Sequence, residues 1–293
     1  MTNINDDKHV RTWASEDGIL MVRAVAPRNP RNGLPPLLVK QFQRSGLRWD
    51  LLKSYDNAKR FNAQEFYVAT ISDLAELIDQ ASKYPDAGLV RGALSDGSAS
   101  ADNILRRLHH REGESATFVE VKRRWVAIDL DSFPLPEGVD PIDVLKVVPL
   151  ALVLLPSEFQ NASCVWQLTS SAGIEKGGRL RLYFLLEHAL DNCDLKEIFD
   201  GFDVDKSVFG AVHLIYVAAP IFHGGEDFIP VRIGMHIGAH ERVTIERPQK
   251  KFKESKSKSD RKFYQGIGFD AYVDQIGDPE TFPGLDEAAF AFT

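Results

Sequence analysis

The sequence predicts an α+β protein built around a mainly antiparallel sheet. Several segments alternate apolar and polar residues with period two, which is typical of strands, whereas few show the three- and four-residue spacing of an amphipathic helix. The predicted strands and helices also follow one another without the regular strand–helix–strand alternation that indicates a parallel sheet. These two observations favour α+β over α/β.

The first half of the chain contains few clear elements. Residues 1–60 show no consistent period and include the stretch PRNPRNGLPP, which predicts loop structure. The first predicted helix has Ser72 as its N-cap. Its apolar positions are Leu74, Leu77, Ile78 and Ala81. A short strand beginning at Leu89 and a second helix over 101–110 follow.

The pattern changes to strands after Gly113. From there it predicts strands over 118–121 and 125–131, a buried helix within 142–155, paired strands over 165–169 and 180–186, a short helix over 195–202, and strands over 212–218 and 228–237.

The composition excludes several classes of protein. Hydrophobic residues make up 44% of the 293 residues and charged residues 26%, as in a soluble globular protein of one or two domains. The longest apolar run, 147–156, is too short to cross a bilayer, and the polar first ten residues do not resemble a signal peptide. Two cysteines, Cys164 and Cys193, exclude a disulfide framework. We therefore expect a cytoplasmic protein that does not contact the membrane.

The formal charge of −7 is unevenly distributed. Residues 250–262, KKFKESKSKSDRK, carry a net charge of +5, so the other residues together carry −12. An acidic protein can still bind a polyanion when its carboxylates hold divalent cations and its basic residues line a groove. Net charge therefore does not exclude nucleic acid as a partner.

The strongest local motif is WVAIDLD, residues 125–131, at the end of a predicted strand. Side chains two residues apart on a strand point to the same face, so Asp129 and Asp131 are predicted to project together while Ile128 and Leu130 face the core. Neighbouring carboxylates repel unless a cation lies between them, and such oxygen ligands suit Mg²⁺ or Mn²⁺. Two solvated acids at a strand end also fit this motif.

A second motif is the loop SSAGIEKGG, residues 170–178. Small residues and glycines allow backbone amides to approach an anion, and the hydroxyls of Ser170 and Ser171 add donors. Arg179 and Arg181 are predicted to share one face of the strand that follows. The loop does not have the spacing of a P-loop, and an ordinary hairpin connection with exposed arginines also fits it.

Further candidates are a third acid and a set of basic residues. We choose Asp205 over Asp203 because it adjoins the next apolar run, and a third carboxylate beside an Asp pair is typical of two-metal sites, although a helix cap also fits. Basic residues near the DxD strand either follow a phosphate backbone or lie on a solvated surface. The candidates for nucleic-acid contact are Arg106, Arg107, Arg111 and Arg124.

Taken in order, these motifs resemble those of the archaeo-eukaryotic primase superfamily, the primase-polymerases of plasmids, phages and integrated elements. That family has two acids at a strand end, then a small-residue motif with a basic group, then a hydrophobic–Asp pair. Here they correspond to 128–131, to 170–173 with Arg181, and to 204–205. The resemblance covers roughly residues 66–238. The segments similar to mobile-element primase-helicases in particular are 89–94 (LVRGAL), 123–131 (RRWVAIDLD) and 215–232.

The resemblance implies an enzyme, a DNA primase or polymerase that performs metal-dependent nucleotidyl transfer on a nucleic-acid template. It implies an RRM-like catalytic sheet beside a smaller α/β unit, with Mg²⁺ or Mn²⁺ held by Asp129, Asp131 and Asp205 as the catalytic residues. The implied contacts to the incoming triphosphate are Arg181, Ser170, Ser171, Gly173 and Lys176. The family usually has a histidine where this chain has Arg181, and an arginine binds phosphate bidentately but is not an acid or base near neutral pH.

The resemblance also implies an organisation and a set of partners. The expected regions are an irregular N-terminal region over 1–60, a catalytic domain over 61–248, a basic linker over 249–262 and the start of a C-terminal helical segment over 263–293. The expected partners are a single-stranded or primed DNA template and dNTPs or rNTPs, with a helicase domain in the same, longer polypeptide.

Two other functions remain open. Glu120 and Lys122 form an ExK pair on a predicted strand, which together with Asp102 fits a metal-dependent nuclease. A replication-initiator module that binds DNA and has a weak catalytic site fits both Arg181 and the net negative charge. His213, on the strand after Asp205, either contacts a nucleotide or is structural.

Overall fold

The structure, a computed structural model, describes residues 15–26, 34–111 and 113–246. The chain divides into two compact units, Met1–Pro248 and Gln249–Thr293, so every described residue belongs to the first unit. The predicted basic linker and the helical segment beyond it lie outside the described residues. The described part is α+β with mainly antiparallel strands, as the sequence predicts.

Strands outnumber helices in this part of the chain. The strands are β1 (Gly18–Ala24), β2 (Gln41–Ser45), β3 (Arg48–Lys53), β4 (Arg60–Tyr67), β5 (Ala87–Val90), β6 (Ala93–Leu94), β7 (Ser100–Leu105), β8 (Phe118–Val119), β9 (Arg123–Phe133), β10 (Cys164–Leu168), β11 (Gly178–Leu190), β12 (Ile215–Tyr216), β13 (Ile221–His223), β14 (Ile233–His236) and β15 (Arg242–Val243). The helices are α1 (Ile71–Ser82), α2 (Val144–Leu152), α3 (Ser157–Gln160), α4 (Asn192–Ile198) and the 3₁₀ helix Lys206–Phe209.

Two five-stranded sheets form the body of the unit. The N-terminal sheet has the strand order β12-β5-β1-β4-β7, and all its neighbouring strands are antiparallel. In the C-terminal sheet, β11 pairs antiparallel with β9 and β10, β14 extends β10, and β15 joins β11 in parallel. A three-stranded sheet has the order β13-β2-β3, and β6 pairs with β8.

Helix α1 confirms the predicted apolar face but not the predicted cap. The Thr70 hydroxyl accepts a hydrogen bond from the Asp73 amide (3.1 Å), and the Asp73 carboxylate accepts one from the Thr70 amide (2.8 Å), which together form a capping box. Ser72 lies inside the helix and is exposed, so its assignment as N-cap is wrong. The predicted positions Leu74, Leu77, Ile78 and Ala81 are all buried.

Segment 101–110 is not a helix. Its first half belongs to β7, which pairs with β4 at the edge of the N-terminal sheet, and Ile104 and Leu108 pack against the smaller of the two hydrophobic clusters. The spacing of the apolar residues fits a helical turn, but the hydrogen bonds offered by the free edge of β4 outweigh this local preference.

Several other boundaries also differ from the prediction. Residues 1–60, expected to be irregular, contain β1, β2 and β3. Strand β8 ends at Val119, so the strand predicted over 118–121 is shorter. Only Ile215–Tyr216 is a strand in the segment 212–218, and a 3₁₀ helix and a turn precede it. The buried helix predicted within 142–155 is confirmed as α2.

Two buried arginines connect the two large sheets. Arg123, at the start of β9, is fully buried and donates to the Glu65 carboxylate of β4 (2.6 Å) and to the carbonyls of Arg91 (2.9 Å) and Gly92 (2.8 Å). Arg91 in turn donates to the carbonyls of Trp125 and of Leu190 (3.0 Å). These residues occur in the LVRGAL and RRW segments, so both segments hold the sheets together.

No helix within the described ranges is long and apolar enough to cross a membrane.

Candidate active site

Asp129 and Arg181 face each other across the centre of the C-terminal sheet. They are directly paired residues of β9 and β11, and the Arg181 guanidinium contacts the Asp129 Oδ2 atom at 2.5 Å. Both are buried, with 8% and 6% of their surface exposed. The second carboxylate oxygen, Asp129 Oδ1, is buried and has no hydrogen-bond partner. The pair is therefore formed, but one of the two carboxylate oxygens has no partner within the protein.

The charge on Arg181 is strongly stabilised in the folded protein. Burial disfavours the guanidinium cation, but the Asp129 carboxylate and the Tyr183 hydroxyl outweigh this and raise the pKa of Arg181. The guanidinium also donates to the Tyr216 carbonyl at 2.5 Å. Arg181 is thus a permanently charged group held between the DxD strand and β12.

Asp131 lies in a β-bulge and is much more exposed than Asp129. The register between β9 and β11 shifts by one residue here, and Ser132 has a positive φ of 60°. Arg179 therefore faces two residues of β9: its guanidinium contacts the Asp131 carboxylate at 3.3 Å and the Ser132 hydroxyl. Partial burial and the neighbouring Asp129 carboxylate raise the pKa of Asp131. The two acids are neighbours, as predicted, but in different environments.

Asp205 joins these acids through the backbone. Its amide donates to the Asp129 carbonyl at 3.3 Å, so the start of the 3₁₀ helix lies against β9. The Asp205 carboxylate caps that helix by accepting from the Ser207 amide (2.8 Å) and the Ser207 hydroxyl (2.9 Å). Asp205 is therefore a helix cap, and its backbone adjoins the DxD strand.

His213 lies near the same helix. Its Nε2 atom is 3.5 Å from the Ser207 hydroxyl. Burial lowers the pKa of His213, as do Arg106 and Arg181, whereas Asp205 and Asp129 act in the opposite direction. The imidazole therefore lies within electrostatic reach of the acids and of the arginine.

The small-residue loop forms a turn, and its first residue, Ser170, borders a cavity of about 40 Å³. Ser170 and Arg181 line this cavity, together with Thr169, whose buried hydroxyl has no hydrogen-bond partner. Ser171 is buried next to the Arg179 guanidinium (3.5 Å). The polar side chains on the cavity wall suit an anion or ordered water.

Two other candidates from the loop have different surroundings. Gly173 has a φ of 71°, and a Cβ atom there would lie 2.9 Å from the side chains of Ile142 and Phe228, so close packing and backbone conformation both require glycine. Lys176 is exposed on the turn.

Two tyrosines beside this cavity were missed by the sequence analysis. Tyr55 and Tyr216 stack with ring centroids 3.7 Å apart and an angle of 12° between the planes, and Lys40 lies 5.9 Å above the Tyr55 ring. Burial raises the pKa of Tyr55, which is also in reach of Ser170 and Arg181. Tyr55 occurs in a region without a periodic pattern, so no sequence signal pointed to it.

The four candidate nucleic-acid arginines do not form one cluster. Arg106 is largely buried over the Phe61 ring (5.5 Å) with one terminal nitrogen unpartnered, and its charge acts on His213 and Tyr216. Arg107 pairs with Glu114 (3.0 Å) and donates to the Arg111 carbonyl (2.9 Å). Arg124 pairs with Glu16 (3.1 Å). Of the four, Arg106 acts on His213 and Tyr216, two residues that lie near the acids or the cavity.

The ExK pair of the nuclease alternative does not lie on a strand. β8 ends at Val119 and β9 begins at Arg123, so Glu120 and Lys122 occupy the connection between them. The Glu120 carboxylate instead accepts a hydrogen bond from the Asn192 amide (3.3 Å) at the start of α4. Asp102 is an exposed residue of β7.

The donor set is of the type that Mg²⁺ or Mn²⁺ prefers, but it is not arranged as a complete site. Within residues 15–26, 34–111 and 113–246, no group of three or more His, Cys, Asp or Glu side chains is placed to hold a metal ion. The unpartnered Asp129 Oδ1 and the exposed Asp131 carboxylate are hard oxygen ligands, with Asp205 adjacent. The residues fit the ion in chemistry, and Arg181 is the group that opposes its binding.

No protein-family model, no curated protein and no solved structure matches the chain.

Proposed function

We propose that the protein catalyses metal-dependent nucleotidyl transfer on a nucleic-acid template, as a DNA primase or polymerase in the replication of a mobile element in the cytoplasm. The observation that best supports this proposal is the hydrogen bond from the Asp205 amide to the Asp129 carbonyl (3.3 Å). It joins two acidic motifs that are 76 positions apart in the sequence. The antiparallel sheet of β9, β10, β11 and β14 would then be the RRM-like catalytic sheet.

Each group in the site has a role in this proposal. Asp129, Asp131 and Asp205 would hold Mg²⁺ or Mn²⁺, which when bound activates the primer hydroxyl and neutralises the leaving pyrophosphate. Arg181 and Ser170 would bind the phosphates of the incoming dNTP or rNTP from the cavity side. Because Arg181 does not release its proton near neutral pH, its role is binding and orientation.

The template is expected on the surface near Arg106. Arg106 has an unpartnered terminal nitrogen, and Lys40 lies over the Tyr55 ring. Arginine and lysine beside aromatic rings are typical of sites that bind single-stranded nucleic acid. A single-stranded or primed DNA template is therefore the proposed partner, and a helicase domain in a longer polypeptide would supply it.

The test is extension of a primed single-stranded template with labelled dNTPs and Mn²⁺ or Mg²⁺, with an unprimed template and rNTPs in parallel. We expect the wild-type protein to extend the primer and the Asp131→Asn variant to lose at least about 100-fold in rate, a loss typical of removing a group that stabilises the transition state. Asp131 is exposed, so this variant should remain folded. Its control is Asp200→Asn, whose side chain is 86% exposed. Equal rates for all three proteins would refute the assignment of the acids.

A second function is favoured by one observation. The 2.5 Å contact between Arg181 and Asp129 neutralises an acid that a metal site needs. A replication-initiator module that binds DNA without efficient catalysis would tolerate this contact. Binding of single-stranded DNA that is unchanged by chelator and by Asp131→Asn, with no synthesis, would favour that function over the first.

A further inference from the structure

Arg181 lies between the candidate metal site and the cavity and contributes to both. Its guanidinium contacts Asp129 Oδ2 at 2.5 Å, and the same side chain forms part of the cavity wall beside Ser170 and Thr169. It is an interior group, with only 6% of its surface exposed. A single buried cation is therefore shared between an acidic residue and a space suited to an anion.

The contact with Asp129 restrains cation binding in the site as it stands. A guanidinium on one carboxylate oxygen repels a divalent ion that approaches the other oxygen, Asp129 Oδ1, across a few ångströms of protein interior where charges interact strongly. Asp131 is also paired with an arginine, Arg179, at 3.3 Å. An isolated divalent cation thus meets two acids that are already neutralised.

A nucleoside triphosphate changes this balance. Its phosphates carry several negative charges and offer the bidentate geometry that guanidinium groups prefer, so they compete with one carboxylate for Arg181. Ser170 and Thr169 line the cavity beside Arg181, and the buried Thr169 hydroxyl has no partner within the protein. When Arg181 turns to the phosphates, the Asp129 carboxylate loses its paired cation and becomes an unpaired oxygen ligand for a divalent cation.

We propose that Arg181 is a latch that alternates between the Asp129 carboxylate in the nucleotide-free protein and the phosphate oxygens of a nucleoside triphosphate in the cavity. Binding of the triphosphate releases Asp129, so nucleotide and divalent cation bind cooperatively. The metal ion therefore does not occupy the site before the nucleotide binds. This inference rests on the proposed function for the identity of the nucleotide, but its test does not require catalysis.

The first measurement is Mn²⁺ binding without nucleotide, followed by electron paramagnetic resonance. We expect Arg181→Gln to bind Mn²⁺ on the order of tenfold more tightly than the wild type or better, because one buried positive charge is removed beside the ligand. The double variant Arg181→Gln/Asp129→Asn should lose this gain. The matched control is Arg106→Gln, which removes a nearby guanidinium that does not contact Asp129 and should change the affinity by less than about threefold. Circular dichroism checks that each variant is folded.

The second measurement is reciprocal and independent of the first. Binding of a fluorescent dNTP analogue in EDTA should become tighter in Asp129→Asn, because the latch is released, and should not change in Asp203→Asn. Equal Mn²⁺ affinity in Arg181→Gln and wild type, an equal gain in Arg106→Gln, or unchanged dNTP binding in Asp129→Asn would each overturn the latch. Primer extension without any Arg181 effect on Mn²⁺ binding would remove the latch and leave the proposed function. Tighter Mn²⁺ binding by Arg181→Gln without any primer extension would support the latch and remove the proposed function.

Discussion

At the residue scale, the acids of the DxD motif differ because Asp131 lies in a bulge and Asp129 does not. Asp129 sits in the regular part of the strand pair opposite Arg181, whereas Asp131 lies where the register shifts and its side chain is 61% exposed. One acid is therefore held rigidly by a buried ion pair, and the other can adjust to a ligand. A metal site that combines a fixed and an adaptable carboxylate can assemble around its substrate.

The pKa of His213 predicts a pH dependence of stability. Burial lowers this pKa below the ordinary value of 6.5, so between the two values the unfolded chain binds a proton that the folded protein excludes. The stability contributed by the neutral imidazole is present above 6.5 and is lost as the pH falls through the folded pKa. Urea unfolding should therefore show wild type losing stability relative to His213→Gln as the pH falls below 6.5.

The control variant is His110→Gln, which removes an exposed histidine. A constant difference between wild type and His213→Gln over the whole pH range would contradict the assignment of His213 as a buried, neutral histidine.

At the element scale, the start of α1 provides a sharp comparison of two neighbouring residues. Thr70 forms the capping box with Asp73, so Thr70→Ala should lower the free energy of unfolding by about 1 kcal/mol. Ser72→Ala replaces an exposed residue inside the helix with a better helix former and should be neutral or slightly stabilising. Urea unfolding of both variants measures the difference. A loss of stability in Ser72→Ala and none in Thr70→Ala would contradict the observed cap.

Elements with one clear period were predictable from the sequence. The face of α1 and the strands β9, β10 and β11 follow their patterns because each buries a defined set of apolar residues in the main core. β2 and β3 carry no such pattern, since most of their side chains are exposed. β7 was mistaken for a helix because its pairing with β4 depends on a partner more than thirty residues away.

The candidate site was predictable only in part, for the same reason. Asp129, Asp131 and Asp205 were found from their positions after apolar strands, and Arg181 from its alternation on β11. Tyr55 and the distribution of the arginines depend on contacts between distant parts of the chain. Local spacing contains no information about such contacts.

At the scale of the whole molecule, two buried arginines, Arg91 and Arg123, connect the two large sheets through hydrogen bonds to both. Burial lowers the pKa of Arg91 to about 9, with a further contribution from Arg123. Arg123 offsets its own burial by pairing with Glu65 at 2.6 Å and by donating to carbonyls of the N-terminal sheet. Strand β9 thus begins where Arg123 connects the two sheets and carries Asp129 and Asp131 towards its other end.

Breaking this joint should be costly. Arg123→Gln leaves the Glu65 carboxylate largely buried without its cation and should lower the free energy of unfolding by about 3–5 kcal/mol. Arg124→Gln, one residue later, removes a side chain that is 40% exposed and pairs with Glu16, and should cost at most about 1 kcal/mol. Denaturant unfolding distinguishes the two, and similar losses would contradict the role of Arg123.

If acids from separate motifs act together in nucleotidyl transfer, as we propose, then replacing Asp205 alone should stop the reaction. Asp205→Asn keeps a side-chain oxygen that can cap the 3₁₀ helix. The control is Asp203→Asn, which changes an exposed acid two residues earlier. The bond to the Asp129 carbonyl comes from the amide of Asp205. The measurement is Mn²⁺-dependent primer extension by both variants beside the wild type. We expect Asp205→Asn to lose synthesis and Asp203→Asn to retain it; full synthesis by Asp205→Asn would show that Asp205 does not act with the DxD acids.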